Sequence, residues 1–234
     1  MPRLVLLLVA SAVAAALLAG TASAQPTFAY DRELGSLARA TLWRALPAET
    51  RVARSQIRRV YVRCYHTREA FERSFERRFG FSARRVIAYY AGGGDIHLRS
   101  LTCDNVRLFV AGRHTLFTSA AFSILVHESL HRQGVRNERL TTCFANEAVR
   151  WGAEWLGYGR ERALRARNLA FDYTRLYSPA SYFMGRPTCL ALARNRDWRD
   201  VVTRPPRPGA LEQGEPSRTQ LAGRGLRGET TPDT

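Results

Sequence analysis

Lysine is missing altogether: every one of the 36 basic side chains in this 234-residue chain is arginine. An arginine-only set of cations reads as the codon bias of a GC-rich genome acting on the whole sequence. The arginines are scattered, and the denser groups (Arg54, Arg58, Arg59, Arg63 and Arg160, Arg162, Arg165, Arg167) recur at spacings that suit solvated faces. The formal net charge of +16 still admits an anionic partner such as nucleic acid, an acidic cell wall or a lipid surface. Cysteine is scarce, with four residues and no C-x-x-C pair, which argues against a cysteine-bound zinc finger. Histidine numbers only five. Beyond residue 24 no apolar run is long enough to cross a membrane.

The N-terminal residues point to a compartment. Arg3 is followed by an apolar run from Leu4 to Leu18 and then by Gly20-Thr21-Ala22-Ser23-Ala24, the small-residue pattern of a signal-peptide cleavage site. The expectation is a signal peptide over 1–24 and an exported chain from Gln25, which argues against a nucleic-acid role and against membrane insertion after cleavage. Residues 25–202 are the size of one domain with a real core. Residues 203–234 are rich in Pro, Gly and small polar residues and read as a disordered tail. In an exported chain Cys64, Cys103, Cys143 and Cys189 are expected to form two disulfides. Three pairings are open; Cys64 with Cys103 and Cys143 with Cys189 would staple each half of the domain to itself.

Apolar residues recur at helical spacing from Arg32 to Leu46, ended by Pro47. Strands are predicted over Arg58–Tyr65, Arg85–Ala91 and Ile96–Arg99, the last two joined by a turn at Gly92-Gly93-Gly94-Asp95. Between the first two, Thr67 caps a helix that Gly80 stops. Helical patterns then dominate: Asp104–Ala111, Ser119–Arg132, Asn137–Leu156, Arg160–Tyr177 and Cys189–Arg199. Strands followed by helices without βαβ alternation predict an α+β domain.

Two of the five histidines lie four residues apart, in His127-Glu128-Ser129-Leu130-His131. On a helix, positions i and i+4 share a face, so both imidazoles can reach one ion at about 2.0–2.1 Å. Glu128 lies about 100° further round, where its carboxylate faces a bound water instead of the metal. The apolar run Phe122-Ser123-Ile124-Leu125-Val126 carries the motif into the core, where ionisable groups need partners or a metal. Gly134 allows a sharp turn, and Asn137 suits the N-cap of the next helix. A third ligand is expected, and two glutamates compete for it. Glu138 and Glu147 are nine residues apart, about 900° on one helix, so both cannot serve one ion. Glu138 shares its face with the small residues Thr141, Thr142 and Ala145 and is favoured. Glu147 shares its face with Cys143, Phe144, Arg150 and Trp151, which suit packing or an exposed ion pair.

The run H-E-x-x-H-x-x-G-x-x-N-E, His127 to Glu138, resembles the zincin metallopeptidases. Their metzincin branch would place a third histidine at Asn137, and this chain lacks it. The resemblance is therefore to the gluzincin branch, whose third ligand is a glutamate early in the following helix. It implies a small zincin-like domain with a short antiparallel sheet followed by a helical half carrying the metal site. It also implies Zn2+ on His127, His131 and Glu138, Glu128 as general base, and a peptide or protein substrate. The segment "GGGDIHLRS" is similar to the zincin edge strand against which substrates pair, with His97 expected on its surface face. Tyr89, Tyr90 and Tyr158 are candidates for steadying an oxyanion, none singled out. Two other classes remain: an exported, non-catalytic module holding anionic cell-wall polymer by weak surface association, and a metal-free, disulfide-stapled helical protein.

Overall fold

A computed structural model describes residues 27–45 and 57–194. The signal-peptide and tail expectations, Pro47 and Arg54 lie outside the described residues. The fold is α+β, as expected: a short four-stranded sheet followed by a mostly helical part.

The sheet is built from β1 (Phe28–Asp31), β2 (Tyr61–Tyr65), β3 (Ala88–Tyr90) and β4 (Asp95–Leu98), in the order β1-β2-β4-β3. β1 pairs antiparallel with β2, and β3 with β4, but β2 and β4 run parallel, with Val62 opposite Ile96 and Cys64 opposite Leu98. The sheet is thus mixed and not antiparallel. The reason is the crossover between β2 and β4: helix α2 (Arg68–Phe79) and β3 supply enough chain to return in the original direction. β4 is consequently an inner strand, and the edge beside it is β3, which corrects the expectation that "GGGDIHLRS" lies at the edge.

The helices start and stop where side-chain chemistry directs. The Thr67 hydroxyl accepts from the Ala70 N–H at the start of α2, and Gly80 ends that helix at φ 75°. α1 (Arg32–Ala45) and α3 (Ser100–Val110) flank a bundle of three longer helices, α4 (Leu116–Gln133), α5 (Glu138–Trp155) and α6 (Arg160–Tyr177). The short α7 (Arg186–Arg194) packs on α5. α4 sits at the centre, touching α1, α3, α5, α6, β3 and β4. Its sequence is apolar nearly all round, and Phe122, Leu125, Val126 and Leu130 are fully buried among Phe109 of α3 and Phe144 and Val149 of α5. Each such side chain contributes roughly 1.5–3 kcal/mol by leaving water. Gly152 of α5 lets the Phe122 ring approach: a Cβ there would lie 2.3 Å from the ring.

A smaller aromatic core of Tyr65, Phe71, Phe75 and Tyr89 fills the space between α2 and the sheet. Disulfides join Cys64 of β2 to Cys103 of α3, and Cys143 of α5 to Cys189 of α7, the pairing that staples each half. Closing loops of 39 and 46 residues is worth on the order of 4 kcal/mol each in the chain-entropy account. Two disulfides fit an oxidising, extracellular setting. Among the described residues no helix is long and apolar enough to cross a membrane.

Candidate metal centre

α4 is fixed at both ends. Thr115 and Thr118 form a reciprocal capping box at its start, and Gly134 closes it at φ 104° with its N–H on the Leu130 and His131 carbonyls. His127 and His131, one turn apart in the last two turns, set their rings edge to face at 4.6 Å between centroids. The chain reverses through Val135 and Arg136, and Asn137 caps α5 by accepting from the Leu140 N–H. Glu138 is therefore the first residue of α5, beside the last turn of α4.

Among the described residues, His127, His131 and Glu138 form the one group of three potential metal-ligating side chains, with ligand atoms within 4.8 Å of one another. The two Nε2 atoms are 2.9 Å apart, and the Glu138 carboxylate spans them, with Oε2 3.1 Å from His127 Nε2 and Oε1 3.5 Å from His131 Nε2. Ligands about 2.0–2.1 Å from a tetrahedral ion stand about 3.3 Å apart, so these separations already match one face of such a shell.

Protonation strengthens the fit. The Val135 carbonyl accepts from His131 Nδ1 at 2.7 Å, and a carbonyl only accepts, so Nδ1 carries the hydrogen and the neutral ring turns a lone pair inward at Nε2. Thr142 Oγ1 lies 3.2 Å from His127 Nδ1 and satisfies that nitrogen as donor or acceptor. Glu138 Oε2 is buried, and its approach to His127 lacks hydrogen-bond geometry. The inward lone pair of His131 and the Glu138 carboxylate, 3.5 Å apart, repel unless a cation stands between them. A proton is the minimal one: burial alone would lower His131, but the adjacent Glu138 carboxylate, as acceptor and as charge, and the charge of Glu128 raise it to about 9. Burial likewise works against the Glu138 carboxylate, yet the two imidazoles hold it far below its usual range.

Glu128 is buried next to these groups, and burial raises its carboxyl above the ordinary carboxylate range despite attraction from both histidines. The backbone of Tyr90, on edge strand β3, works in the opposite sense and lowers it. Two carboxylates and two imidazoles thus share one nearly enclosed space, and three of these groups could hold a metal ion.

The other sequence candidates are elsewhere. Glu147 lies 3.6 Å from Arg167 of α6, in a buried ion pair where packing or an exposed pair was expected. His97 is buried, not on the surface: α2 covers its face of the sheet, and its Nδ1 lies 2.8 Å from the Tyr65 hydroxyl. Tyr89 donates to Ser74, and Tyr158 to the Val110 carbonyl. Tyr90 meets Glu128 through its backbone, while its hydroxyl is buried without a hydrogen-bond partner.

Sequence reasoning missed Tyr182. It lies in the segment between α6 and α7, with its ring nearly parallel to His127 (6.0 Å between centroids, 19° between planes). Burial, then the charges of Glu138 and Glu128, raise its hydroxyl above the ordinary phenol range. The available signal was the Cys143–Cys189 pairing, which draws the chain before Cys189 back to the start of α5. No protein-family model, curated protein or solved structure matches this chain.

Proposed function

We propose that this chain is a secreted zinc-dependent peptidase of gluzincin type. The observation that carries the reading is the convergence of His127, His131 and Glu138 at tetrahedral-edge spacing with the buried Glu128 beside them. The resemblance of His127–Glu138 to the zincin motif supports the same conclusion. Zinc, when bound, supplies Lewis acidity that lowers the pKa of a water and polarises a scissile carbonyl.

The chain's own residues do the rest. His127 and His131 offer Nε2 because Thr142 and Val135 occupy their Nδ1 atoms. Glu138 gives the third ligand and the neutralising charge. Glu128 takes a proton from the water and passes it to the leaving amine, and its raised pKa suits both halves of that exchange. Glu128 adjoins the backbone of Tyr90, which brings the proposed base beside the edge strand along which an extended peptide would lie. The substrate is a peptide or protein met outside the cell, in keeping with the disulfides.

Elemental analysis of the zinc-supplemented chain is the first test, followed by cleavage of a quenched peptide library. The expected result is one zinc per chain and cleavage that falls by at least about 10²-fold in Glu128→Gln with zinc retained. A folded, zinc-supplemented protein that holds no zinc overturns the proposal. Zinc with cleavage unaffected by Glu128→Gln overturns the role given to Glu128.

A further inference from the structure

The last turn of α4 carries a cation beside the candidate centre. Arg132 follows Glu128 by four residues, so the two share one face of the helix. Arg132 meets the β3–β4 turn there. Gly92, Gly93 and Gly94 take φ of 80°, 66° and 113°, and a Cβ on Gly94 would stand 3.3, 3.4 and 3.6 Å from Nη2, Cζ and Nε of Arg132. Near-equal distances to three atoms of one plane put the turn over the flat face of the guanidinium. Its N–H groups lie in that plane and are left to other partners. Nε donates to the Arg59 carbonyl at 3.5 Å, and among the described residues no carboxylate pairs with Arg132. Nor does Arg132 serve the helix end. That duty falls to Arg58, whose Nη1 donates to the Arg132 carbonyl at 3.1 Å and whose backbone N–H donates to Gln133 Oε1 at 3.2 Å.

We infer that Arg132 is a specificity-determining residue that selects substrates presenting a carboxylate about two residues from the scissile bond. This rests on the peptidase reading above. Glu128 adjoins β3 and Arg132 adjoins the turn that ends the β3–β4 hairpin, so a chain paired with β3 passes both. One helical turn, about 5.4 Å, separates them, and an extended chain advances about 3.3 Å per residue. An aspartate or glutamate side chain and a chain-terminal carboxylate offer the same planar pair of oxygens, which the held guanidinium edge can meet with two N–H groups at once.

The test starts from a peptide that the zinc-loaded chain cleaves and places Glu, Gln or Arg at each of the three positions on either side of the bond, with free and amidated C-termini. The expected result is kcat/KM about 10–100-fold higher for Glu than for Gln at one position, or for the free over the amidated end where the terminus is the carboxylate read. Arg132→Gln should erase that preference and leave cleavage of the Gln peptide nearly unchanged. Arg132→Lys, which keeps the charge and loses the fork, should keep part of it. Arg175→Gln, at an exposed arginine of α6, should keep all of it. Equal cleavage of every member by the parent overturns the inference and leaves the peptidase reading standing. A preference that survives in Arg132→Gln overturns it too, as does an equal fall for all peptides, which is damage to the fold or the centre. A chain that holds no zinc, or holds it and cleaves no peptide, removes the peptidase reading and this inference together.

Discussion

Two clusters of buried histidine lie in opposite halves of this molecule, and they solve the problem of burial differently. On the sheet side, the Tyr65 hydroxyl bridges His97 Nδ1 at 2.8 Å and Ser74 Oγ at 2.7 Å, Tyr89 donates to the same Ser74, and the Tyr89 ring stacks on His97 at 4.3 Å. Hydroxyls both donate and accept, so this group satisfies a neutral imidazole in either tautomer without help. On the helix side, the outer nitrogens are served by Val135 and Thr142 while the inner ones face each other and a carboxylate. A buried histidine by itself is therefore no sign of a metal site; two imidazole nitrogens and a carboxylate converging on one point are a better one.

Substitutions separate the two clusters most sharply. His131→Ala and Glu138→Ala are expected to lose stoichiometric zinc by elemental analysis, whereas His97→Phe keeps it. Zinc retained in Glu138→Ala would break the distinction. Glu147→Ala draws the same line between the two glutamates: zinc stays at one per chain, but loss of the buried partner of Arg167 lowers stability by about 3–5 kcal/mol in urea unfolding.

Acid provides the next test. Burial, reinforced by Arg63, holds His97 down to about 4 from 6.5, so its neutral ring contributes fully above pH 6.5 and that contribution is lost as pH falls toward 4. The loss amounts to about 3 kcal/mol. It should appear as an acid-side slope in the unfolding free energy of the parent that His97→Phe flattens. Thr67→Ala, which removes a cap from α2 beside the sheet-side cluster, has the smallest effect: about 1 kcal/mol less stability with zinc affinity unchanged.

Local chemistry was legible and long-range pairing was not. Thr67, Gly80, Gly134 and Asn137 each act within a few residues, and each marks the helix end that the sequence assigns to it. Glu138 stood out from Glu147 because helix geometry alone separates their faces. β1 escaped notice since four residues carry too little periodicity, and the parallel β2–β4 pairing depends on a crossover of some thirty residues. His97 was misplaced because alternation tells which residues share a face but not that α2 will cover it. Tyr182 sits in a stretch with no period at all, and only the fold carries it to Glu138.

The second disulfide turns the candidate metal centre into a pattern of distances along the chain. Cys143 stands five positions after Glu138, and Cys189 seven after Tyr182, so one bond ties together the stretches that carry both. Written as a string, H-E-x2-H-x6-E-x4-C followed at a distance by Y-x6-C describes this arrangement without reference to any overall likeness. Chains too diverged for alignment can be sieved with that ruler.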